Sequence, residues 1–463
     1  MRVPRLAAVP LALAALAGCT SAPHHDSSPV SRQTTGTTSR LTTRPGPARP
    51  GTSWPVYHAN AARTGYVPGL PAAGPLTLAW RAGLDGAVYG QPLIIGNLVI
   101  AATENDTVYG LNRASGRVEW RTHVGTPVPS SALPCGDINP LGITGTPAYD
   151  PATGLVYLVA EQTGYHHVLY GLSLTGQVRL RRDIPTPDGQ PRFDQQRPAL
   201  AIDAGRVYVG FGGLYGDCGP YIGSVAGVPA SGSGPLISYR VPTASKGAIW
   251  GTGGPVIASG TLYVSVGNGA ATAPPYDGSD SVIALTPGLR RTGFFAPATW
   301  GADNDSDLDL GSMSPALLPG GRILAVGKRG TGYLLDAAHL GGIGGQLAQA
   351  AICPAFGGPA VAGSTAYVPC EGGGMAAVAT AGDHLRVLWR GPASAEGSPV
   401  AGGGAVWVAG WDSGTLYELA QAGGRVRYQI GLGSPLPHFA SPSLSGDLVF
   451  VGTDTGVTAV RGG

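Results

Sequence analysis

The chain repeats one short pattern eight times between residue 76 and its C-terminus. Each copy has a small or polar residue, a proline and an apolar residue, and the prolines lie 40 to 60 residues apart. Proline is tolerated at the start of a strand, where the ladder hydrogen bond that it removes is not yet needed. Repeats of this length are typical of arrays in which each copy is one supersecondary unit. The eight prolines are Pro92, Pro147, Pro198, Pro255, Pro315, Pro359, Pro399 and Pro442.

Each proline is followed by a short stretch rich in β-branched and aromatic residues, a composition that favours β-strands. No stretch has helical periodicity over three turns, and the best helical candidate, residues 337–352, contains four glycines. We therefore predict an all-β chain with one four-stranded antiparallel blade for each repeat. The predicted strands that follow the prolines are 98–103, 155–160, 206–212, 261–267, 322–327, 365–370, 405–410 and 448–453.

The last repeat ends early, because no outer strand follows "GVTAVRGG". A matching strand precedes the first proline: "LTLAWRAGL" (76–84) ends like "RVEWRTHVG" (117–125). If strand 76–84 completes the last blade, the ring closes and no exposed sheet edge remains. The sequence thus predicts an eight-bladed β-propeller, and the alternative is seven blades with a stray hairpin, because the third and fourth repeats are the least regular.

The N-terminus is typical of a bacterial export signal. Two arginines near Met1 precede an apolar run, residues 6–16, that is too short to span a bilayer. Residues 16–19, Leu-Ala-Gly-Cys, resemble the lipobox, in which the cysteine is acylated after cleavage. We expect a signal peptide at 1–18, a lipidated Cys19 with a flexible Ser/Thr/Pro-rich tether at 19–53, and a propeller at 54–463. The protein would be exported and anchored to the outer face of the cell membrane; an ordinary secretory peptide is the alternative.

Four cysteines follow Cys19, and an even number in an exported chain suggests two disulfides. Cys353 and Cys370 lie close in sequence, so we favour this pair together with Cys135 and Cys218. Four cysteines allow three pairings, and buried unpaired thiols are the alternative.

Several motifs resemble those of propellers with pyrroloquinoline quinone (PQQ)-like repeats. "VYGLNRASGRVEW" (108–120) is similar to the signature of that repeat, and "VLYGLSLTGQVRL" (168–180) and "TLYELAQAGGRVRY" (415–428) are degenerate copies. The resemblance covers residues 54–463. It implies the propeller fold, whereas the activity depends on the site residues.

The same resemblance points to one candidate site. Dehydrogenases of this quinoprotein type carry an Asp-x-Asp segment followed by a strand with Lys-x-Gly, and "DLDLG" (307–311) and "GKRG" (327–330) match in order and spacing. The resemblance implies Asp307 as the base toward an alcohol and Lys328 as the contact to the quinone. Trp250, Asn268 and Asp309 would complete the cofactor site, and Glu161 and Trp300 are weaker candidates. PQQ with calcium is the possible cofactor set.

Other features count against an enzyme. The chain has neither the adjacent Cys-Cys pair of the best-known quinoprotein alcohol dehydrogenases nor a Cys-x-x-Cys-His haem motif. His166 and His167 would point to opposite faces of a strand, which makes them a poor metal pair. A structural ion pair between Lys328 and Asp307 or Asp309 explains the same residues without chemistry. The net charge of +2 gives no electrostatic basis for nucleic-acid binding.

We therefore predict a membrane-anchored, probably monomeric in form, cell-surface propeller that serves as a ligand- or protein-binding scaffold, with an envelope protein as a possible partner. The alternative is a PQQ-dependent dehydrogenase that oxidises an alcohol or a sugar with Asp307 and Lys328. A third hypothesis is a wall protein that binds sugars or polymers.

Overall fold

Eight antiparallel sheets follow one another along the chain in the computed structural model, which describes residues 53–68 and 74–462. We call them blades 1 to 8, in the order of the repeat prolines. The predicted signal peptide, Cys19 and nearly all of the tether lie outside the described residues. Among the residues that the structure describes, no helix is long and apolar enough to cross a membrane.

The strands of each blade run from the centre of the ring outwards. Those of blades 1 to 4 are Leu93–Ile95, Leu98–Ala102, Thr107–Asn112 and Val118–His123; Ala148–Asp150, Leu155–Gln162, His166–Ser173 and Val178–Asp183; Ala201–Asp203, Arg206–Gly213, Ser224–Pro229 and Ile237–Arg240; Val256–Ala258, Thr261–Val266, Ser281–Leu285 and Arg291–Ala296. Those of blades 5 to 8 are Ala316–Leu318, Arg322–Val326, Thr331–Asp336 and Ala348–Ala351; Ala360–Ala362, Thr365–Cys370, Gly374–Ala381 and His384–Arg390; Val400–Gly402, Ala405–Gly410, Thr415–Ala420 and Val426–Gly431; Ser443–Ser445, Leu448–Thr453, Gly456–Arg461 and Thr77–Gly83.

A few short elements accompany the blades. Three two-residue strands extend blades 3, 4 and 7, and they are Asp194–Gln195, Gly342–Ile343 and Tyr66–Val67. The helical elements are the α-helix Trp300–Asp305 and the 3₁₀ turns Tyr57–Ala59, Ser130–Ala132 and Leu310–Ser312.

The predicted strands are confirmed, with bounds that differ by at most two residues. Burial explains why they could be recognised. The second strand of blade 7, Ala405–Gly410, is buried at every position, because neighbouring blades cover both of its faces. The outermost strand of blade 6, His384–Arg390, alternates between exposed and half-buried positions. Residues 337–352 form short strand segments and turns, not a helix.

The ring closes as predicted. Strand Thr77–Gly83, from the N-terminal side, pairs antiparallel with the last strand, Gly456–Arg461, so that Leu78 lies opposite Val460 and Ala82 opposite Val457. The eight-bladed prediction is confirmed, and the seven-bladed alternative is wrong.

Tryptophans on outer strands join neighbouring blades. Trp80 of blade 8 donates its indole N–H to the carbonyl of Arg113 in blade 1, at 3.0 Å, and its ring lies against Gly116. Gly116 has φ +71°, and a Cβ there would lie 2.5 Å from the indole, so only glycine fits. Trp120 and Trp389 dock on the next blades in the same way. The aromatic-Arg pairs that end many repeats are therefore the contacts between blades.

The N-terminal residues 54–67 cross the centre of the ring. Trp54 and His58 are fully buried, and the backbone of this segment bonds to blades on opposite sides, for example Thr64 O to Val361 N at 2.7 Å and Ala61 O to Ile257 N at 2.9 Å. Burial lowers the pKa of His58 to about 3, so its imidazole is neutral. This segment fills the channel at the level of the innermost strands.

Both disulfides lie at one end of the propeller. In an antiparallel blade, the loop into the first strand and the turn between the second and third strands lie at the same end, which we call the funnel face. Cys135 pairs with Cys218, and Cys353 with Cys370, and all four are in or next to such loops. The predicted pairing is confirmed, and the alternative of free thiols is wrong.

We expect Trp80→Ala to lower the free energy of unfolding by about 3–5 kcal/mol, because it empties a packed site at the seam that closes the ring. Urea unfolding followed by circular dichroism measures this. The control is Leu78→Ala on the same strand, whose side chain is 43% exposed and whose loss should cost about 0.5 kcal/mol or less. Equal midpoints for the two variants would show that the seam does not need the indole.

Candidate functional site

Neighbouring loops of blades 4 and 5 on the funnel face carry all the residues of the predicted site. Trp250 is in the loop into blade 4, and Asn268 follows the second strand of that blade. Asp307 and Asp309 follow the helix Trp300–Asp305 in the loop into blade 5, and Lys328 begins the turn after the second strand of blade 5. Residues far apart in sequence are thus brought together because two adjacent blades present equivalent loops.

The five side chains form one contact network. Lys328 Nζ lies 2.8 Å from Asp307 Oδ1, and Asn268 Nδ2 donates to the same oxygen at 2.5 Å. Lys328 Nζ also lies 3.8 Å from Asp309 Oδ2, which accepts a hydrogen bond from Trp250 Nε1 at 2.9 Å. The ammonium is 6.0 Å from the centre of the Trp250 ring. The predicted residues therefore meet, while their catalytic and cofactor-binding roles remain predictions.

The two carboxylates of the network differ in exposure. The Asp307 side chain is 70% exposed, whereas that of Asp309 is 8% exposed. Both oxygens of Asp309 accept hydrogen bonds, since Oδ1 is 2.7 Å from Gly311 N. The backbone also ties the pair together, because Lys328 N donates to Asp309 O at 2.9 Å. Asp309 thus positions Trp250 and Lys328, and Asp307 is the carboxylate that faces solvent.

Burial and charge act in opposite directions in this network. Burial raises the pKa of Asp309 to about 6, although Lys328 and the indole N–H both favour the ionised form. Burial disfavours the charge of Lys328, but Asp309 and Asp307 outweigh it and raise the pKa of the ammonium. Lys328 is consequently a permanent cation at neutral pH, and Asp309 is a carboxylate close to its titration range.

The weaker candidates lie elsewhere. Glu161 is buried in blade 2, where Oε1 accepts a hydrogen bond from Gln196 N at 2.5 Å and Oε2 lies 3.5 Å from His167 Nε2. Trp300 is buried against Tyr276, with ring centres 5.1 Å apart. As predicted, the two adjacent histidines face opposite ways: His166 is exposed and His167 is buried. None of these residues joins the Lys328 network.

Sequence reasoning missed two phenylalanines that cover Trp250. The ring centres of Phe356 and Phe439 are each 6.3 Å from that of Trp250 and 6.0 Å from each other. Because the two phenyl rings are so close together, both lie on the same side of the indole. They come from the loops into blades 6 and 8, across the funnel, and no local motif identifies them.

These contacts decide how well a quinone cofactor fits. A cation beside a carboxylate and an indole is chemically suited to a quinone oxygen and a flat ring. However, a flat ring on the covered side of Trp250 would have to displace Phe356 and Phe439. No group of three or more His, Cys, Asp or Glu side chains within 53–68 and 74–462 could hold a metal ion. The polar half of a PQQ and calcium site is present, and the stacking and metal half does not fit.

Comparisons with known proteins place this fold. Residues 75–213 match the family model described as outer membrane protein assembly factor BamB, a PQQ-like repeat model. No curated protein matches the chain. The matched residues belong to the PQQ-like repeat family, and the blades that follow continue the same architecture.

Solved structures share the fold at low sequence identity. The quinohemoprotein alcohol dehydrogenase of Comamonas testosteroni superposes with a TM-score of 0.68 at 15% identity, covering 88% of this chain and 80% of that one. BamB from Moraxella catarrhalis gives 0.60 at 14%, covering 84% and 100%. A europium-containing methanol dehydrogenase gives 0.66 at 15%, covering 89% and 98%. At these identities the likeness shows the fold alone.

We expect Asp309→Asn to change how stability depends on pH. Since the folded-state pKa of Asp309 is raised to about 6, its ionisation in the folded protein is disfavoured. Wild-type stability relative to the variant should be highest near pH 4 and should fall by about 2–3 kcal/mol as the pH rises through 6. Urea unfolding at pH 4, 5, 6 and 7 measures the difference. Asp307→Asn, which removes the exposed carboxylate, is the control; parallel curves for wild type and Asp309→Asn would contradict the assignment.

Proposed function

We propose that the protein is a membrane-anchored, cell-surface propeller that binds a ligand or a protein partner at its funnel face. The observation that carries this proposal is a continuous group of aromatic rings, the rim cluster, formed by Trp250, Phe356, Phe439, His438 and Trp411. Trp411 and His438 are 4.4 Å apart between ring centres, and His438 and Phe439 are 6.0 Å apart. The first three rings and Trp411 are half-buried, and His438 is exposed.

The composition of the rim cluster suits recognition. Aromatic rings with neighbouring cations are enriched where binding energy concentrates, because they bury much area and lose little side-chain entropy. Lys328 lies beside Trp250, and the Arg197 guanidinium lies 4.9 Å from the centre of the Phe439 ring. A partner with aromatic or anionic groups would find complementary chemistry there.

The membrane anchor rests on the sequence around Cys19, and a partner in the envelope is supported by the family model. That model is described as an outer membrane protein assembly factor, and BamB of Moraxella catarrhalis has this fold. A propeller tethered by residues 19–53 would reach on the order of 30 Å from the membrane surface. The funnel face could thus meet a membrane-bound partner.

Photo-crosslinking in cells tests the proposal. A photoreactive phenylalanine analogue replaces Trp411 at the rim cluster, and for comparison Leu388, which is 41% exposed on the outermost strand of blade 6. We expect a discrete adduct from position 411 and none from position 388. In the same cells, Cys19→Ala should move the protein from the membrane to the soluble fraction. Adducts of equal yield at both positions would reject a specific site on the funnel face, and unchanged fractionation would reject the anchor.

A PQQ-dependent dehydrogenase is the second candidate, favoured by the meeting of Asp307, Lys328 and Trp250. In this hypothesis Lys328 contacts the quinone and the exposed Asp307 accepts the proton of an alcohol or a sugar. Asp309 holds Lys328 and the indole in place. Bound PQQ would supply the two-electron acceptor.

Calorimetric titration with PQQ separates the two candidates. For a binding propeller without this cofactor we expect no saturable heat with or without calcium, because Phe356 and Phe439 cover the indole. Phe439→Ala tests that reason directly, since it uncovers part of the ring. One-to-one binding by the wild type that is lost in Lys328→Ala would instead make the dehydrogenase the leading function.

A further inference from the structure

The residues that immediately precede the eight repeat prolines form a ring around the channel. They contact one another in sequence around the propeller: Gln91 N donates to Thr146 Oγ1 at 2.8 Å, and Gln91 Nε2 donates to Ser441 Oγ at 3.0 Å. Seven of the eight are neutral and buried, and the eighth, Arg197, is charged and half-buried. The ring members are Gln91, Thr146, Arg197, Gly254, Ser314, Gly358, Ser398 and Ser441.

The neutral members use their polar groups to hold the ring together. Ser314 Oγ accepts from Gly253 N at 3.0 Å, and Ser398 Oγ accepts from Gly358 N at 2.9 Å. Gln91 Oε1 accepts from the indole of Trp54 at 2.9 Å and thereby fixes the segment that crosses the channel. These positions have a structural role that accounts for their side chains.

Arg197 departs from this pattern. Its guanidinium forms no hydrogen bond and no ion pair with any residue in 53–68 or 74–462, and its Nε is buried without a partner. The side chain is held only by its contact with the Phe439 ring. A guanidinium has five N–H donors, and leaving them unused at a partly buried site is costly.

A polar pocket surrounds this unused cation. Arg197 lines it with Tyr89, Thr144, Thr252 and Tyr57, and the floor is formed by the segment that crosses the channel. The Tyr89 hydroxyl likewise has no hydrogen-bond partner among the described residues. Two donor groups therefore face a recess that has hydroxyl-bearing walls.

The charges near the pocket do not neutralise Arg197. Glu104 is buried nearby, but burial raises its pKa to about 8, so it is mostly protonated at neutral pH. Asp137, the other acid that influences Arg197, is exposed and forms no ion pair with it. The pocket thus has one net positive charge.

We propose that Arg197 and Tyr89 bind the carboxylate of a small organic anion at the base of the funnel, with Phe439 beside its apolar part. A carboxylate matches the fork of a guanidinium with two parallel hydrogen bonds. One cation balances a carboxylate, whereas a phosphate dianion would bring a second, unbalanced charge. This inference rests on the proposed function, and it names the chemical class of the ligand of the funnel.

Calorimetric titration of the purified protein with benzoate tests the site, with benzamide as the neutral probe of the same shape and inorganic phosphate as the second anion. We expect saturable benzoate binding and at least tenfold weaker binding of benzamide and phosphate. Arg197→Gln should weaken benzoate binding about tenfold or more, and Arg197→Lys should weaken it less, since it keeps the charge but loses the fork.

Arg192→Gln is the matched control. Arg192 is also an arginine beside aromatic rings, 5.8 Å from the centre of Tyr165, but it lies outside the pocket, so benzoate binding should not change. Thermal unfolding of each variant verifies folding. Benzoate binding that is absent in the wild type, equalled by benzamide or unchanged in Arg197→Gln would overturn the inference. If crosslinking at position 411 then persists, the anion site alone fails; if both fail, the proposed function fails with it.

Discussion

The segment of residues 54–67 is the contact on which the architecture depends. It hydrogen-bonds to seven of the eight blades or to the loops that lead into them, including Ile94 of blade 1, Tyr149 of blade 2, Ala401 of blade 7 and Ser441 of blade 8. A ring of blades has no core at its axis unless something fills it. Here the N-terminal segment fills the channel with Trp54 and a neutral His58, and then continues toward the strand that closes blade 8.

Closure from both ends of the described chain couples the funnel face to the rest of the fold. The loops that hold Trp250, Asp309 and Phe439 each lead into an innermost strand, and those strands are bound to the crossing segment. The two disulfides fix further loops on the same face. The rim cluster and the Lys328 network are therefore presented by rigid elements, which favours a recognition surface with little entropy to lose on binding.

The Lys328 network shows how one set of residues can serve two kinds of protein. Its ion pair and the Asp309 hydrogen bonds are self-sufficient, so the arrangement is stable without a cofactor. The aromatic rings that cover Trp250 occupy the space in which a planar group would stack. The structure thus combines polar residues expected of a quinoprotein with a funnel filled by its own side chains, and Arg197 marks the remaining polar recess.

Much of this could be predicted from the sequence because it depends on local patterns. Prolines at strand starts, alternating apolar residues and the aromatic-Arg pairs determined the number of blades, their strands and the closing strand, since each repeat forms the same unit. The meeting of Asp307 and Lys328 also followed from spacing on adjacent repeats. Contacts across the funnel were decided only by the tertiary structure: Phe356 and Phe439 on Trp250, the path of residues 54–67 and the unpartnered guanidinium of Arg197. These side chains are close because the ring is closed, and closure brings together loops that are separated by tens to hundreds of residues and share no local signal.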